Sequence, residues 1–285
     1  MSVKPLRVGL QQPALPEYRI PFFQALSEDD RIELSVFFGS VEAITNVGDH
    51  RLNATFQQTR RLPLGFLWNG QQLRVLDRKR FDVVVYSANI HYLSFIVGLF
   101  LSRLKGIPVV AWGHFRSKNE NRLRRRLRRF FTRFADCLLC YDDRGKSELV
   151  GQGISAERVF VSPNSVDVDG LAEAHHRSIE SGQARSLAEE LNLVAGKTLI
   201  FASRLVSRKR VDFLLSTFAL VVRDEPDARL IIVGDGPERQ ELEGTARSLG
   251  VAERTHFVGE TFDQRRIATY FAVADLMLYP TNLGL

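Results

Sequence analysis

The feature that most constrains this chain is a repeating alternation. Short β-branched, apolar runs are each followed by a stretch of helical length. Phe81-Asp82-Val83-Val84-Val85-Tyr86 is the clearest run, too apolar for a sheet with one wet face. Around it the pattern reads strand at Leu6–Leu10, helix at Ile20–Leu26, strand at Ile32–Phe38 and helix at His91–Leu104. A strand at Gly106–Trp112, a helix at Arg122–Phe134, and strands at Cys137–Tyr141 and Arg158–Val161 follow. Such alternation predicts an α/β domain on a parallel sheet.

A polar stretch from about Asp167 to Gly196 interrupts the series, and it is read as a crossover plus one helix, Ser186–Leu193. The alternation then starts afresh. Strands are expected at Thr198–Ala202, Arg229–Val233, His256–Val258 and Leu276–Tyr279. Helices are expected at Arg210–Val222, Glu238–Leu249 and Gln264–Phe271. Two Rossmann-like units are thus predicted, at 1–168 and 169–285. Ligands of such sheets bind beyond the carboxyl ends of the strands, so a cleft between the units is the expected active site. With 285 residues, 45% of them apolar and 25% charged, the chain can build two ordinary cores.

Several chemistries are disfavoured. Cys137 and Cys140 are the only cysteines; their C-x-x-C spacing falls in a strand, where residues three apart face opposite ways. Two core thiols in a reducing compartment are expected, rather than a redox or zinc motif. Neither a signal peptide nor a run long enough to span a bilayer is visible, the longest being Tyr92 to Leu101. A cytoplasmic protein is expected, soluble or peripheral on the inner face of the membrane.

The formal charge of +6 is unevenly placed. Eleven Lys/Arg and one acid fall between Arg103 and Arg133, while the rest of the chain is net acidic. Within that segment, Leu123, Leu127, Phe130, Phe131 and Phe134 share one helical face. Arg122, Arg124, Arg125, Arg126, Arg128 and Arg129 cover the other. Two compatible readings follow: a surface helix that packs its apolar face on the sheet, or docking on an anionic membrane surface through those arginines. Nucleic acid is not the expected partner, because the aromatics lie on the face the helix should bury.

Two loops of the second half carry charge or glycine where chemistry would need it. In Ser203-Arg204-Leu205-Val206-Ser207-Arg208-Lys209, two cations five residues apart bracket a loop between a strand and a helix. A phosphate could rest there, held by Arg204, Lys209 and the helix N-terminus, at roughly 4 kcal/mol per pair before desolvation. Solvated charges capping a helix explain the segment equally well. In Gly234-Asp235-Gly236-Pro237 the glycines let the backbone approach a ligand, yet Arg239 stands where a dinucleotide fingerprint needs its third glycine.

Together these pieces resemble the C-terminal domain of the family-4, group 1 retaining glycosyltransferases of GT-B fold. The landmarks are Ser203-Arg204-Leu205 with Lys209; Gly234-Asp235-Gly236-Pro237; Phe257-Val258-Gly259; and Ala274-Asp275 through Tyr279-Pro280. Pro163-Asn164-Ser165-Val166-Asp167 resembles the family's interdomain hinge. The resemblance implies that Arg204 and Lys209 hold the donor diphosphate and stabilise the leaving group. Ser203, Gly234, Gly236, Pro237, Phe257, Val258, Gly259 and Thr281 would border the donor. From the first domain, Gly9 and Gln11 would face it, and His114 would contact its sugar or the departing phosphate. Neither cofactor nor metal is required; Asp167-Val168-Asp169 belongs to the hinge rather than to a metal site.

The sequence departs from the family's pattern at Ser165 and Ser203, where glycine is usual, and at its end. Thr281 occupies the place of the first glutamate of the E-x7-E element, whose second glutamate would lie beyond Leu285. A C-terminally truncated second domain is therefore expected, poorly soluble or oligomeric and weak as a catalyst. The expected reaction moves a sugar, with retention, from a nucleotide-sugar to a hydroxyl of a lipid-linked or polysaccharide precursor. A sugar-nucleotide epimerase and a non-catalytic binding protein are the alternatives.

Overall fold

The computed structural model describes residues 4–41, 46–47, 51–115 and 122–281. The chain divides into two compact units, Met1–Asp167 and Val168–Leu285.

In the first unit, seven parallel strands form one sheet. They are β1 (Leu6–Gln12), β2 (Ile32–Phe38), β3 (Ala54–Phe56), β6 (Val83–Ser87), β7 (Val109–Trp112), β8 (Cys137–Cys140) and β9 (Val159–Val161). The order β3-β2-β1-β6-β7-β8-β9 places the topological switch between β1 and β6. A small antiparallel pair, β4 (Arg60–Arg61) with β5 (Leu67–Trp68), lies outside this sheet. Helices α1 (Ile20–Ser27), α2 (Gln71–Arg74), α3 (Leu93–Lys105), α4 (Arg122–Thr132) and α5 (Asp143–Gly151) connect the strands. Both sheet faces are covered, which is why the strands read as unbroken apolar runs. One core gathers Tyr86, Phe95, Leu99 and Leu138; the other gathers Leu10, Phe23, Val36 and Trp112.

The second unit repeats the plan with four parallel strands in the order β12-β11-β10-β13. These are β10 (Thr198–Ala202), β11 (Arg229–Val233), β12 (Thr255–Gly259) and β13 (Leu276–Met277). Here the switch falls between β10 and β13. Its helices are α6 (Val168–Glu180), α7 (Gln183–Glu190), α8 (Val211–Asp224), α9 (Arg239–Ser248) and α10 (Gln264–Ala272). Phe201, Leu205, Phe218 and Leu230 centre one core, Ile200, Ile231 and Tyr270 the other.

One device recurs at the amino edges of both sheets. An aspartate just before a strand accepts an N–H at or next to the start of the neighbouring strand. Asp82, before β6, takes Arg7 N at 3.0 Å; Asp136, before β8, takes Val109 N at 2.8 Å. Asp275, before β13, takes Thr198 N at 2.8 Å and Gly196 N at 3.1 Å.

The alternating strands and helices match the α/β expectation, and three segments differ from it. The stretch between the strands at Ile32–Phe38 and Phe81–Tyr86, to which the pattern assigns no element, contains the strand β3. The polar stretch before Gly196 holds two helices rather than one, broken at Gly182, whose φ of 78° suits glycine. α6 is hidden from periodicity because it buries only Ser178, through a 3.0 Å hydrogen bond to Thr269 of α10. The third difference is α4. Leu123, Leu127 and Phe130 remain exposed; only Phe131 and Phe134 pack inward, against Phe100 of α3. The expectation that this whole apolar face is buried is therefore corrected.

Candidate functional site

At the carboxyl edge of the second sheet, the β10–α8 connection carries Ser203, Arg204 and Lys209. A one-turn 3-10 segment, Ser207–Lys209, precedes α8, and Arg210 adopts the left-handed conformation (φ 52°) at the helix start. That conformation is uncommon for a non-glycine residue and redirects the chain just after Lys209. Lys209 is half-buried. Its ammonium donates to the Tyr279 hydroxyl and lies 4.8 Å from the centre of that ring. The Tyr279 hydroxyl donates in turn to Ser203 Oγ at 3.3 Å, and its ring stacks on Phe201 with centroids 5.5 Å apart. Burial works to raise the Tyr279 pKa, but hydrogen bonding with Lys209 and Ser203 prevails, so the phenol titrates below its ordinary range. Ser203 follows β10 and Tyr279 follows β13, so the trio sits at the topological switch of this unit.

Next to it lies a hollow of about 240 Å³, lined by Ser203, Arg204, Gly234, Glu260 and Phe262 among others. Ser203, Arg204 and Gly234 reach it from two interlocked loops. Leu205 N donates to Asp235 O at 2.9 Å, and Glu238 N donates to Leu205 O at 3.3 Å. A Cβ on Gly234 would stand 2.0 Å from Ser203 O, and one on Gly236 would stand 2.3 Å from Leu205 O. Both distances are far inside van der Waals contact. The sequence reading assigned these glycines to the approach of a ligand; the neighbour their missing side chains admit is the Ser203–Leu205 loop itself. Arg239, which fills the place of the absent third glycine, pairs with Asp235 at 3.1 Å and Glu243 at 2.9 Å.

The remaining expected donor contacts divide. The carbonyl of Gly259 accepts Gly234 N at 2.8 Å, which ties it to a residue that lines the hollow. Phe257 packs on the Leu230 core, whereas Val258 packs on the opposite one and lines a separate hollow of about 560 Å³ with Leu187, Leu191 and Tyr270. Neither lines the hollow beside Arg204. Pro237 is exposed in the turn before α9, which begins two residues later than the proline at Arg239. Thr281 is half-buried two residues beyond Tyr279; Asn282–Leu285 lie outside the described residues.

In the first unit, Gly9 lies mid-strand, where a Cβ would meet Phe81 and Val75 at 3.2 Å. The missing side chain allows close core packing at this point. Gln11 is fully buried and committed to its own chain: Nε2 donates to Gln12 O at 2.8 Å, and Oε1 accepts Gln72 Nε2 at 2.9 Å. His114, half-buried beyond the end of β7, lies against Tyr141 with ring centroids 4.3 Å apart. The next residue, Phe115, is buried with φ 51°, a strained setting for a bulky side chain. Cys140 is fully buried and Cys137 half-buried, and both are free thiols. Among the described residues no three His, Cys, Asp or Glu side chains gather as a metal site.

Sequence reasoning found Arg204 and Lys209 but gave Tyr279 no role. The signal was present: an aromatic just past a strand end, inside one of the quoted landmarks. What it lacked was the β10–β13 pairing that brings Tyr279 to Lys209.

The comparisons with known proteins bear on this arrangement. The family model described as Glycosyltransferase Family 4 matches residues 25–169, and the one described as Glycosyl transferases group 1 matches residues 196–285. Alpha-monoglucosyldiacylglycerol synthase of Streptococcus pneumoniae is 23% identical over 226 residues, covering 75% of this chain and 50% of that protein. GDP-mannose-dependent alpha-(1-6)-phosphatidylinositol monomannoside mannosyltransferase of Mycolicibacterium smegmatis is 32% identical over 118 residues, 41% of this chain and 29% of that one. The chain thus spans half or less of the length of these relatives. Among solved structures, HepE of Anabaena with UDP and glucose superposes with a TM-score of 0.65 at 17% identity, over 96% of this chain and 74% of that one. UDP-GlcNAc 2-epimerase of Neisseria meningitidis gives 0.60 at 11% identity, over 95% and 76%. These likenesses establish the GT-B fold, and with one family model on each compact unit the chain belongs to the group 1, family 4 glycosyltransferases.

Proposed function

We propose that this chain takes part in glycosyl transfer from a nucleotide-sugar, with Arg204 and Lys209 as the cations that hold the donor diphosphate. The observation that carries the reading is the Lys209–Tyr279–Ser203 cluster beside the Arg204 hollow, at the switch point of a parallel sheet. An acceptor hydroxyl oxygen would bond to the anomeric carbon as the carbon–oxygen bond to the diphosphate breaks. The electron pair leaves on the phosphate, which also takes the hydroxyl proton, and retention of configuration is the proposed outcome. Positive charge preorganised where negative charge develops is the main catalytic resource of such a site. The scheme needs no metal. UDP in the HepE structure supports a uridine nucleotide as the first donor to test.

The proposed acceptor is lipid-linked, and the proposed setting is the inner face of a membrane. The names of the Streptococcus and Mycolicibacterium relatives both contain a glycosylated lipid, monoglucosyldiacylglycerol in one and phosphatidylinositol monomannoside in the other. On this chain the support is exposed apolar side chains on two helices that touch through Phe100, Phe131 and Phe134: Leu123, Leu127 and Phe130 of α4, with Val97, Phe100 and Leu104 of α3. Arginines flank them. No helix among the described residues is long and apolar enough to cross a membrane, so contact would be peripheral.

Thermal-shift titration with UDP, GDP and ADP and their sugars tests the donor reading. Stabilisation that saturates for one nucleotide, and is lost in Arg204→Ala and Lys209→Ala, is expected. Absence of any nucleotide response in the parent protein refutes it. The fold is shared with epimerases, so the same incubation without acceptor is analysed for an epimeric sugar.

A further inference from the structure

Arg19, at the start of α1, is 9% exposed and has no carboxylate partner among the described residues. Its guanidinium meets only neutral groups. Nη1 donates to Gln12 Oε1 at 2.7 Å; Nη2 donates to the Tyr141 hydroxyl at 3.1 Å and to Asn164 Oδ1 at 3.2 Å. Nε makes a long contact of 3.4 Å with the Tyr18 hydroxyl. The guanidinium carbon stands 5.0 Å from the centre of the Trp112 ring. A buried cation costs several kcal/mol when no anion accompanies it, and stacking on an indole in a desolvated site returns about 2 kcal/mol of that.

A second observation points the same way. The indole N–H of Trp112 is buried and has no acceptor among the described residues. Buried donors almost always find one. Two neighbouring groups, Arg19 and Trp112, therefore share a shortage of acceptor oxygen and of negative charge. Their place is significant as well. Gln12, Trp112, Tyr141 and Asn164 end or follow four different strands, all at the carboxyl edge of the first sheet. His114 lies against the same Tyr141. This is the edge at which parallel α/β sheets take ligands.

We propose that Arg19 is the centre of an oxyanion site that binds a phosphate group carried by the acceptor. The word acceptor rests on the glycosyl-transfer reading above; the site itself does not. Phosphate chemistry could also come from the donor, so the experiment has two arms. In the first, the protein is titrated with inorganic phosphate at constant ionic strength held by chloride. The Trp112 indole N–H resonance, distinguished from that of Trp68 by a Trp68→Phe variant, is the reporter. In the second, the titration is repeated in saturating UDP.

Saturable movement of the Trp112 signal by phosphate, unchanged by UDP, is expected. Arg19→Gln should weaken the phosphate response about tenfold or more, as loss of a charged hydrogen-bonding partner does. Arg19→Lys should retain part of it, and Lys209→Ala should leave it intact. A Trp112 signal indifferent to phosphate in the parent protein overturns the proposal, whether or not the variants fold. So does an equal response to chloride, or displacement of phosphate by UDP. If UDP fails to bind at all while phosphate still moves Trp112, the donor reading falls and the Arg19 site stands.

Discussion

The ammonium of Lys209 is directed at the phenol of Tyr279, 4.8 Å from the ring centre and hydrogen-bonded to its hydroxyl. Seventy residues of chain separate the two, and the β10–β13 pairing joins them. The contact orients a cation at the sheet's carboxyl edge without neutralising it.

Loss of Lys209 should therefore cost binding of the negative ligand. Lys209→Ala is expected to weaken nucleotide-sugar affinity about ten- to a hundredfold, the worth of a hydrogen bond to a charged group. Tyr279→Phe keeps the ring and should change affinity less than about tenfold. Calorimetric titration checks both. Ultraviolet titration of tyrosine supplies an independent measure. The Tyr279 phenol should ionise below the ordinary tyrosine range, because Lys209 and Ser203 outweigh burial. In Lys209→Ala that early transition should move upward.

Gly234→Ala and Gly236→Ala should each destabilise the second unit by about 1–3 kcal/mol, the usual penalty of forcing atoms into a packed site. Gly234 should be the worse of the two, since its φ of 142° adds backbone strain to the clash with Ser203 O. Urea unfolding measures the loss. Nucleotide response should fall with it, because the same clash pushes the Ser203–Leu205 loop away from its position.

His256 sets a pH dependence. Burial, reinforced by Arg229, depresses its pKa below 6.5, and its Nε2 has no partner among the described residues. In the unfolded chain the ring takes up a proton first. The folded state is thus favoured above pH 6.5, and that contribution is lost as pH falls through the depressed folded value. Unfolding midpoints measured from about pH 7.5 down to about pH 5 should decline in the parent protein. The decline should be shallower in His256→Gln.

Vesicle sedimentation addresses the helical surface. Binding to vesicles containing anionic lipid, absent for neutral ones and weakened by salt, is expected. Replacing Arg125 and Arg126 by Gln should weaken it by about 2 kcal/mol, near thirtyfold. Leu127→Ser with Phe130→Ser should weaken it even at low salt, since both side chains are exposed. Equal binding by all variants would exclude α4 as the contact.

Much of the scaffold was legible because buried parallel strands announce themselves. Val83–Ser87 and Arg229–Val233 are flanked by core on both faces, so their buried interior positions are apolar and only the half-buried ends admit Ser87 and Arg229. What escaped was structure held together by few apolar side chains. β3 places only three residues at the sheet edge, and α6 is anchored by a serine–threonine hydrogen bond. Within the candidate site, charge revealed Arg204 and Lys209. The roles of glycines were harder to read, because small residues admit ligand and neighbouring backbone alike. Gly234 and Gly236 proved to accommodate a loop, and Gly9 a phenylalanine ring. Gln11 and Arg19 carry no periodic signal, since their partners, Gln72 and Tyr141, are distant in sequence.

The aspartates at the amino edges leave the two ends of each sheet with separate duties. Asp82, Asp136 and Asp275 are spent tying neighbouring strands together at the amino edge of their own sheet, opposite the carboxyl edge that carries Arg19 in the first unit and Arg204 and Lys209 in the second. Fastening is thereby decoupled from chemistry. Descendants of this chain could exchange one anionic substrate for another by editing loops on one rim, while the stitching on the opposite rim keeps the strands in register.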